Sequence, residues 1–260
     1  MRRTTRAVVL VAGAVLLLGA APASKAGKIV FLHHSTGEVI WKGGVPEWIA
    51  RYNSSHKTKH ALTAVEFPKD KPYGWNNYPY DYWNIWVKHA GAKRFKDEPT
   101  LELLTKQYDV IIFKHCFPGS SVSPDEGKAN VASDEKTLQN YRLQYGALKK
   151  KLRAFPKTKF IVWTGPALNK SETNEGDAKR AKQFHEWVRK TWDEKGDNIH
   201  LWDFRELETE GGLYAKPGHT NKSDDAHPSA AFAKKAAPLF AKRIVDVIEG
   251  RGDTGSITGK

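Results

Sequence analysis

Five short apolar runs recur along the chain, each closing on polar or turn-forming residues: Ile29–Leu32, Ala61–Phe67, Tyr108–Phe113, Lys159–Trp163 and Ile199–Phe204. Runs of this length, rich in β-branched and aromatic residues, read as strands covered on both faces, as in a parallel sheet. Helical spacing fills the intervals. Pro46 leads Glu47–Tyr52, apolar residues recur at helical spacing over 134–155, and 178–195 reads as a further helix. Pro228 opens a last helix that runs through Val247, with Pro238 placed to kink it. Residues 38–44 read as a glycine-containing turn. Alternating strands and helices predict an α/β fold, a three-layer α/β/α sandwich with a mostly parallel five-stranded sheet.

The first 26 residues stand apart. Met1–Arg6 is basic, Ala7–Ala20 is apolar, and Ala21–Ala26 offers small residues for cleavage. That order is the pattern of a secretory signal peptide, too short for a stable membrane span. The expected division is a signal peptide at 1–26, one domain at 27–249, and a frayed polar tail at 250–260. A secreted or periplasmic location follows, with no membrane anchor after cleavage. Cys116 is the only cysteine, so no internal disulfide can form. Loss of four basic residues with the leader lowers the formal charge from +13 to +9, a surplus that suits anionic surroundings.

Two segments carry chemistry. Lys28–Gly37 is an apolar strand that stops at His33, His34, Ser35 and Thr36, which places Ser35 at a strand end, where α/β sheets bind ligands. A serine needs a base, and Ser223–Ser229 supplies Asp224 and His227 at a spacing of three, just before Pro228. Within one turn that spacing lets the carboxylate orient the imidazole. Asp225 can substitute in another turn geometry. A helix cap with an exposed histidine is the structural alternative.

Taken together, the strand-end Ser35, the aromatic loop after the second strand, the polar loop after the third and Asp224-x-x-His227-Pro228 resemble the SGNH/GDSL hydrolase superfamily. The likeness spans essentially the whole chain after the leader. It implies a flavodoxin-like sandwich and a Ser-His-Asp esterase without a cofactor, with Ser35 as nucleophile, His227 as base and Asp224 as orienting acid. It also implies an oxyanion hole. Thr36 and Gly74 are candidate donors, with Asn76 or Asn77 nearby. Two departures from the family pattern stand out. His33-His34 replaces the usual Gly-Asp before the serine, and the segment Lys114–Ser120 has no asparagine. His115, or an amide near Gly119, is the candidate replacement.

Other residues have competing readings. Adjacent His33 and His34 point to opposite faces of a strand, and with His115 or Asp81 they form a candidate metal set, although no ligand spacing recurs. Seven of the fifteen residues at 72–86 are aromatic. Trp83 and Trp86 are expected in the core, and Tyr73, Trp75 and Tyr78 nearer a sugar-binding pocket. Glu38 with Asp81 is a candidate carboxylate pair for glycosidic chemistry. Cys116 is a candidate nucleophile, or a small buried hydrophobe. Nothing resembles a nucleic-acid recognition element. The expectation is a monomeric, secreted esterase acting on an acylated small molecule or polysaccharide. A glycosidase or lyase using His34, Asp81 or Glu38, or a glycan-binding protein without turnover, stands as the alternative.

Overall fold

The computed structural model describes residues 26–74 and 77–260. The expected leader, apart from Ala26, and two candidate site residues, Trp75 and Asn76, lie outside the described residues. The chain begins with β1 (Ala26–His33), α1 (Ser35–Lys42), α2 (Val45–His56) and β2 (Lys59–Glu66). Next come α3 (Pro79–Trp83), continued by a π-helical turn at Asn84–Lys88, then α4 (Leu101–Leu104), β3 (Val110–Lys114), α5 (Leu138–Arg153) and β4 (Lys159–Trp163). The C-terminal third comprises α6 (Glu175–Trp187), β5 (Ile199–Trp202), α7 (Phe204–Thr209), the strands β6 (Thr220–Lys222) and β7 (Asp225–Pro228), and α8 (Ala230–Ile248).

Within the described residues, β1 to β5 form one parallel sheet in the order β2-β1-β3-β4-β5. This is the flavodoxin-like doubly wound order, and its direction of winding reverses between β1 and β3. The alternation of side chains along each strand separates two cores. Ile29, Phe31, Ile112 and Trp163 pack beneath α1, α2 and α8, whereas Val30, Leu32, Phe113 and Val162 pack against α5 and the aromatic turn around Trp86. The expected α/β/α sandwich is therefore present. Its strands read as unbroken apolar runs because both faces are covered.

Three local expectations change. Residues 38–44 do not form a simple turn, because α1 begins at Ser35 and buries Thr36, Gly37 and Ile40. Packing against α8 explains why a sequence containing glycine is helical there. Pro238 lies within an uninterrupted α8. The C-terminal residues are not frayed. Buried Arg243 donates to Leu201 O at 2.7 Å and Gly252 O at 2.8 Å, Asp203 N–H donates to Ile257 O at 2.8 Å, and the Trp202 indole donates to Thr258 O at 3.2 Å. No described helix is long and apolar enough to cross a membrane.

Candidate active site

The carboxyl ends of β1 and β3 meet at the reversal of the sheet, and the chain places chemistry on both. Ser35 is the exposed first residue of α1. The first N–H groups of a helix have no partner within it, and the cap residue His34 supplies no side-chain acceptor to them. The amides of Thr36 and Gly37 thus provide a positive helix end beside the Ser35 hydroxyl. Gly37 is required by close approach. A Cβ there would lie 2.6 Å from His33 Cβ and 2.9 Å from both Lys114 Cδ and the Phe31 ring. From β3, Cys116 brings its sulfur to 3.5 Å from Ser35 Oγ and 3.8 Å from Thr36 Oγ1.

The imidazole reaches the same edge. β6 and β7 form an antiparallel hairpin, and α1 packs against β7. The His227 ring meets Phe117, the residue after Cys116, edge-on at 4.9 Å between centroids. On β7, Asp225 and His227 are two apart and share a face. His227 Nδ1 lies 2.6 Å from Asp225 Oδ1, and the His227 amide donates to the same oxygen at 3.1 Å. The Asn221 amide donates to Asp225 Oδ2 at 3.1 Å. With Asp225 as acceptor, Nδ1 carries the proton and Nε2 is left free to accept one. The hydrogen bond from Asn221 and that from His227 together hold the Asp225 carboxyl down to about 2.

Asp224 does not take the expected orienting role. It sits at the hairpin turn with its side chain 73 % exposed, 3.4 Å from Lys222 Nζ. A turn geometry favours a spacing of three, but the segment is a strand, whose period of two selects Asp225.

Most of the expected oxyanion donors are engaged elsewhere. The Gly74 amide closes a turn onto Asp70 O at 2.5 Å. Asn77 is buried and ties the loop together, donating from its side chain to Phe67 O at 3.0 Å and accepting the Cys116 amide at 2.9 Å. The Gly119 amide bonds Cys116 O at 2.9 Å. His115 faces the opposite core, where Nε2 meets the Tyr145 hydroxyl. Its Nδ1 has no partner among the described residues, and burial lowers the imidazole to about 3. It lines a cavity of about 30 Å³ with Tyr145, Thr164 and His185, room for about one water.

The competing clusters do not form. Burial lowers His33 and His34 to about 4 each. The His33 ring packs tilted against Phe31, and His34 Nε2 meets Pro68 O with Nδ1 3.4 Å from Glu66. Among the described residues, no three His, Cys, Asp or Glu side chains gather at metal-binding distances. Asp81 is buried, accepting from the Tyr73 hydroxyl at 3.0 Å and the Asn77 amide at 2.5 Å, while Glu38 pairs with Lys42 at 2.5 Å on the outside of α1. The two carboxylates therefore do not form a glycosidic pair. Trp83 and Trp86 are buried as expected, but so are Tyr73 and Tyr78, the latter donating to Asp134 O at 2.9 Å. Neither tyrosine faces a sugar pocket.

Three features were not expected from sequence. A groove of about 770 Å³ runs beside the hairpin, lined by Asn169, Lys170, Tyr214, Pro217, Asn221 and Lys222. Lys114 is fully buried beneath α1. Glu208 is also fully buried, takes the Ala167 amide at 2.6 Å, and is pushed up to about 8 by burial. An isolated charged residue at the end of an apolar strand, as in Val110–Lys114, is the one sequence sign of such burial.

No family model matches this chain, and no curated protein does. Among solved structures it is similar to a gut microbial diltiazem-metabolizing enzyme, with 14 % identity and a TM-score of 0.47. That alignment covers 86 % of this chain and 48 % of the other. It is also similar to a family two carbohydrate esterase from Cellvibrio japonicus, with 12 % identity, a TM-score of 0.44, and coverage of 88 % and 63 %. The chain thus spans about half the length of the first and under two thirds of the second.

Proposed function

We propose that this chain is an exported serine hydrolase that cleaves a carboxylic ester, an acyl group carried by a carbohydrate. The Ser35 oxygen attacks the ester carbonyl while His227 Nε2 takes its proton. Asp225 holds the imidazole and stabilises the imidazolium that results. The Thr36 and Gly37 amides face the carbonyl oxygen as it gains charge. His227 then returns its proton to the leaving sugar hydroxyl, and water releases the acyl group from Ser35 by the reverse sequence.

The observation that carries this reading is the Asp225–His227 pair at 2.6 Å, on a strand packed against the helix that begins with exposed Ser35. The groove beside the hairpin has the size range of ligand sites. Tyr214 gives it a flat apolar ring, and Lys170 and Lys222 suit an anionic polymer. The basic surplus of the chain agrees with that choice.

The test is hydrolysis of p-nitrophenyl acetate and of an acetylated polysaccharide by wild type and Ser35→Ala. The expected result is turnover by wild type and a loss of at least ~10³-fold in the variant. Equal rates in the two proteins would overturn the assignment. Binding of the polysaccharide without turnover would favour a lectin-like role instead.

A further inference from the structure

The group that the proposed hydrolytic cycle leaves unused is Cys116. Its sulfur lies 3.5 Å from Ser35 Oγ and 3.8 Å from Thr36 Oγ1, at the positive end of α1. Lys114 comes from below. Its stem passes under the first turn of α1, where its Cδ lies 2.9 Å from the place a Gly37 Cβ would occupy. The Lys114 side-chain nitrogen is fully buried, where desolvation lowers it, and finds no oxygen acceptor among the described residues; Cys116 and Glu208 are the acidic groups it interacts with, and Glu208 keeps its proton at neutral pH. A buried cation without an acceptor, next to a helix N-terminus, is electrostatically costly unless an anion answers it. With Glu208 holding its proton, the candidate anion is the Cys116 thiolate. Burial alone would push the thiol up, but Lys114 and the Ser35 hydroxyl outweigh it and bring the thiol to about 7. A thiolate, rather than a thiol, is the reactive form.

We propose that Cys116 is a modification site for small peroxides, at which oxidation to a sulfenic acid closes the approach to Ser35. The sulfur attacks one peroxide oxygen. A sulfur–oxygen bond forms, the oxygen–oxygen bond breaks, and hydroxide leaves; the sulfur is oxidised by two electrons and the peroxide is reduced. The added oxygen crowds the Ser35 hydroxyl, which the sulfur already touches at 3.5 Å, and so hinders its attack on a carbonyl. Exposed Ser35 stands in front of the thiol, which is only 2 % exposed, so bulky oxidants are excluded and small ones are not. Thiol reduction of the sulfenic acid restores the site.

The blocking of hydrolysis rests on the reading of Ser35 as nucleophile, whereas the reactivity of the thiol does not. The full chain is treated with hydrogen peroxide and then dimedone, and followed by intact mass and by ester hydrolysis. The chain's one cysteine and one methionine keep the mass readout simple. The expected result is one dimedone adduct on Cys116, loss of hydrolysis in step with sulfenylation, and recovery with dithiothreitol. Cys116→Ala forms no adduct and shows the same rate before and after peroxide. Lys114→Met slows adduct formation about fivefold at pH 7, the drop in thiolate fraction that a rise of one unit from about 7 would produce. Labelling of wild type only after unfolding in urea overturns the proposal, as does full sulfenylation with hydrolysis unchanged. If no ester is turned over, the adduct rate of native against unfolded protein decides thiol reactivity alone, so the two readings fail separately.

Discussion

Asp225 Oδ1 lies 2.6 Å from His227 Nδ1, two residues along one strand, while Asp224 turns outward to Lys222. Neighbouring aspartates thus have opposite fates, set by the period of β7. The expected consequence is a sharp contrast in steady-state kinetics. Asp225→Asn lowers kcat for ester hydrolysis by ~10³–10⁴-fold, because the imidazole loses its tautomer and its counter-charge. Asp224→Asn stays within about twofold of wild type. The reverse ranking would assign the orienting role to Asp224.

Gly37 is expected to tolerate no side chain. Gly37→Ala drives a methyl into His33, Lys114 and Phe31, all at 2.9 Å or less, and the first turn of α1 must shift. Such overpacking costs about 1–3 kcal/mol, measurable as a lower urea midpoint. The same shift misplaces the Thr36 amide, so kcat falls while KM changes little. A variant with wild-type stability and kcat would show that this turn does not hold the site.

Glu208 gives a pH dependence with a definite sign. Burial raises its folded value to about 8 from an ordinary 4.5. Its stabilising contribution is full below 4.5 and is lost as pH rises toward 8, where the unfolded chain releases the proton and the folded chain keeps it. Glu208→Gln has no such titration. The stability of wild type relative to this variant is therefore expected to fall by about 1.4 kcal/mol per pH unit across that window. Urea melts of both proteins at pH 5, 6, 7 and 8 check this, and a constant difference would mean that Glu208 is ionised when folded.

Which parts of the molecule were legible follows from what each signal measures. The strands were readable because Ile29–Leu32 and Lys159–Trp163 are buried on both faces and so carry unbroken apolar runs. Helix α1 was not, since Gly43 and Gly44 suggest a turn and the helix is held by Ile40 packing in the core beside α8. Ser35 and His227 were singled out from position and residue type, but a hairpin with three- and four-residue strands has too little periodicity to separate Asp224 from Asp225. Tyr73 and Tyr78 looked available for sugars. Both are buried because their hydroxyls find Asp81 and Asp134 O inside the loop. Glu208 was illegible, because a single charge in sequence reads as surface until its neighbours are known, and Lys114 showed only its place at the end of an apolar strand. The C-terminal residues lack apolar patterning, and backbone carbonyls at Gly252, Ile257 and Thr258 attach them instead.

The central claim is that His227 arms Ser35. Intact-mass labelling with an alkyl fluorophosphonate tests it directly, since that reagent is captured by a serine that an imidazole has activated. The account predicts one adduct, mapped to Ser35, in the wild-type chain, none in Ser35→Ala, and capture slowed by at least ~10³-fold in His227→Gln. An adduct on another residue, or equal labelling of wild type and His227→Gln, would contradict it.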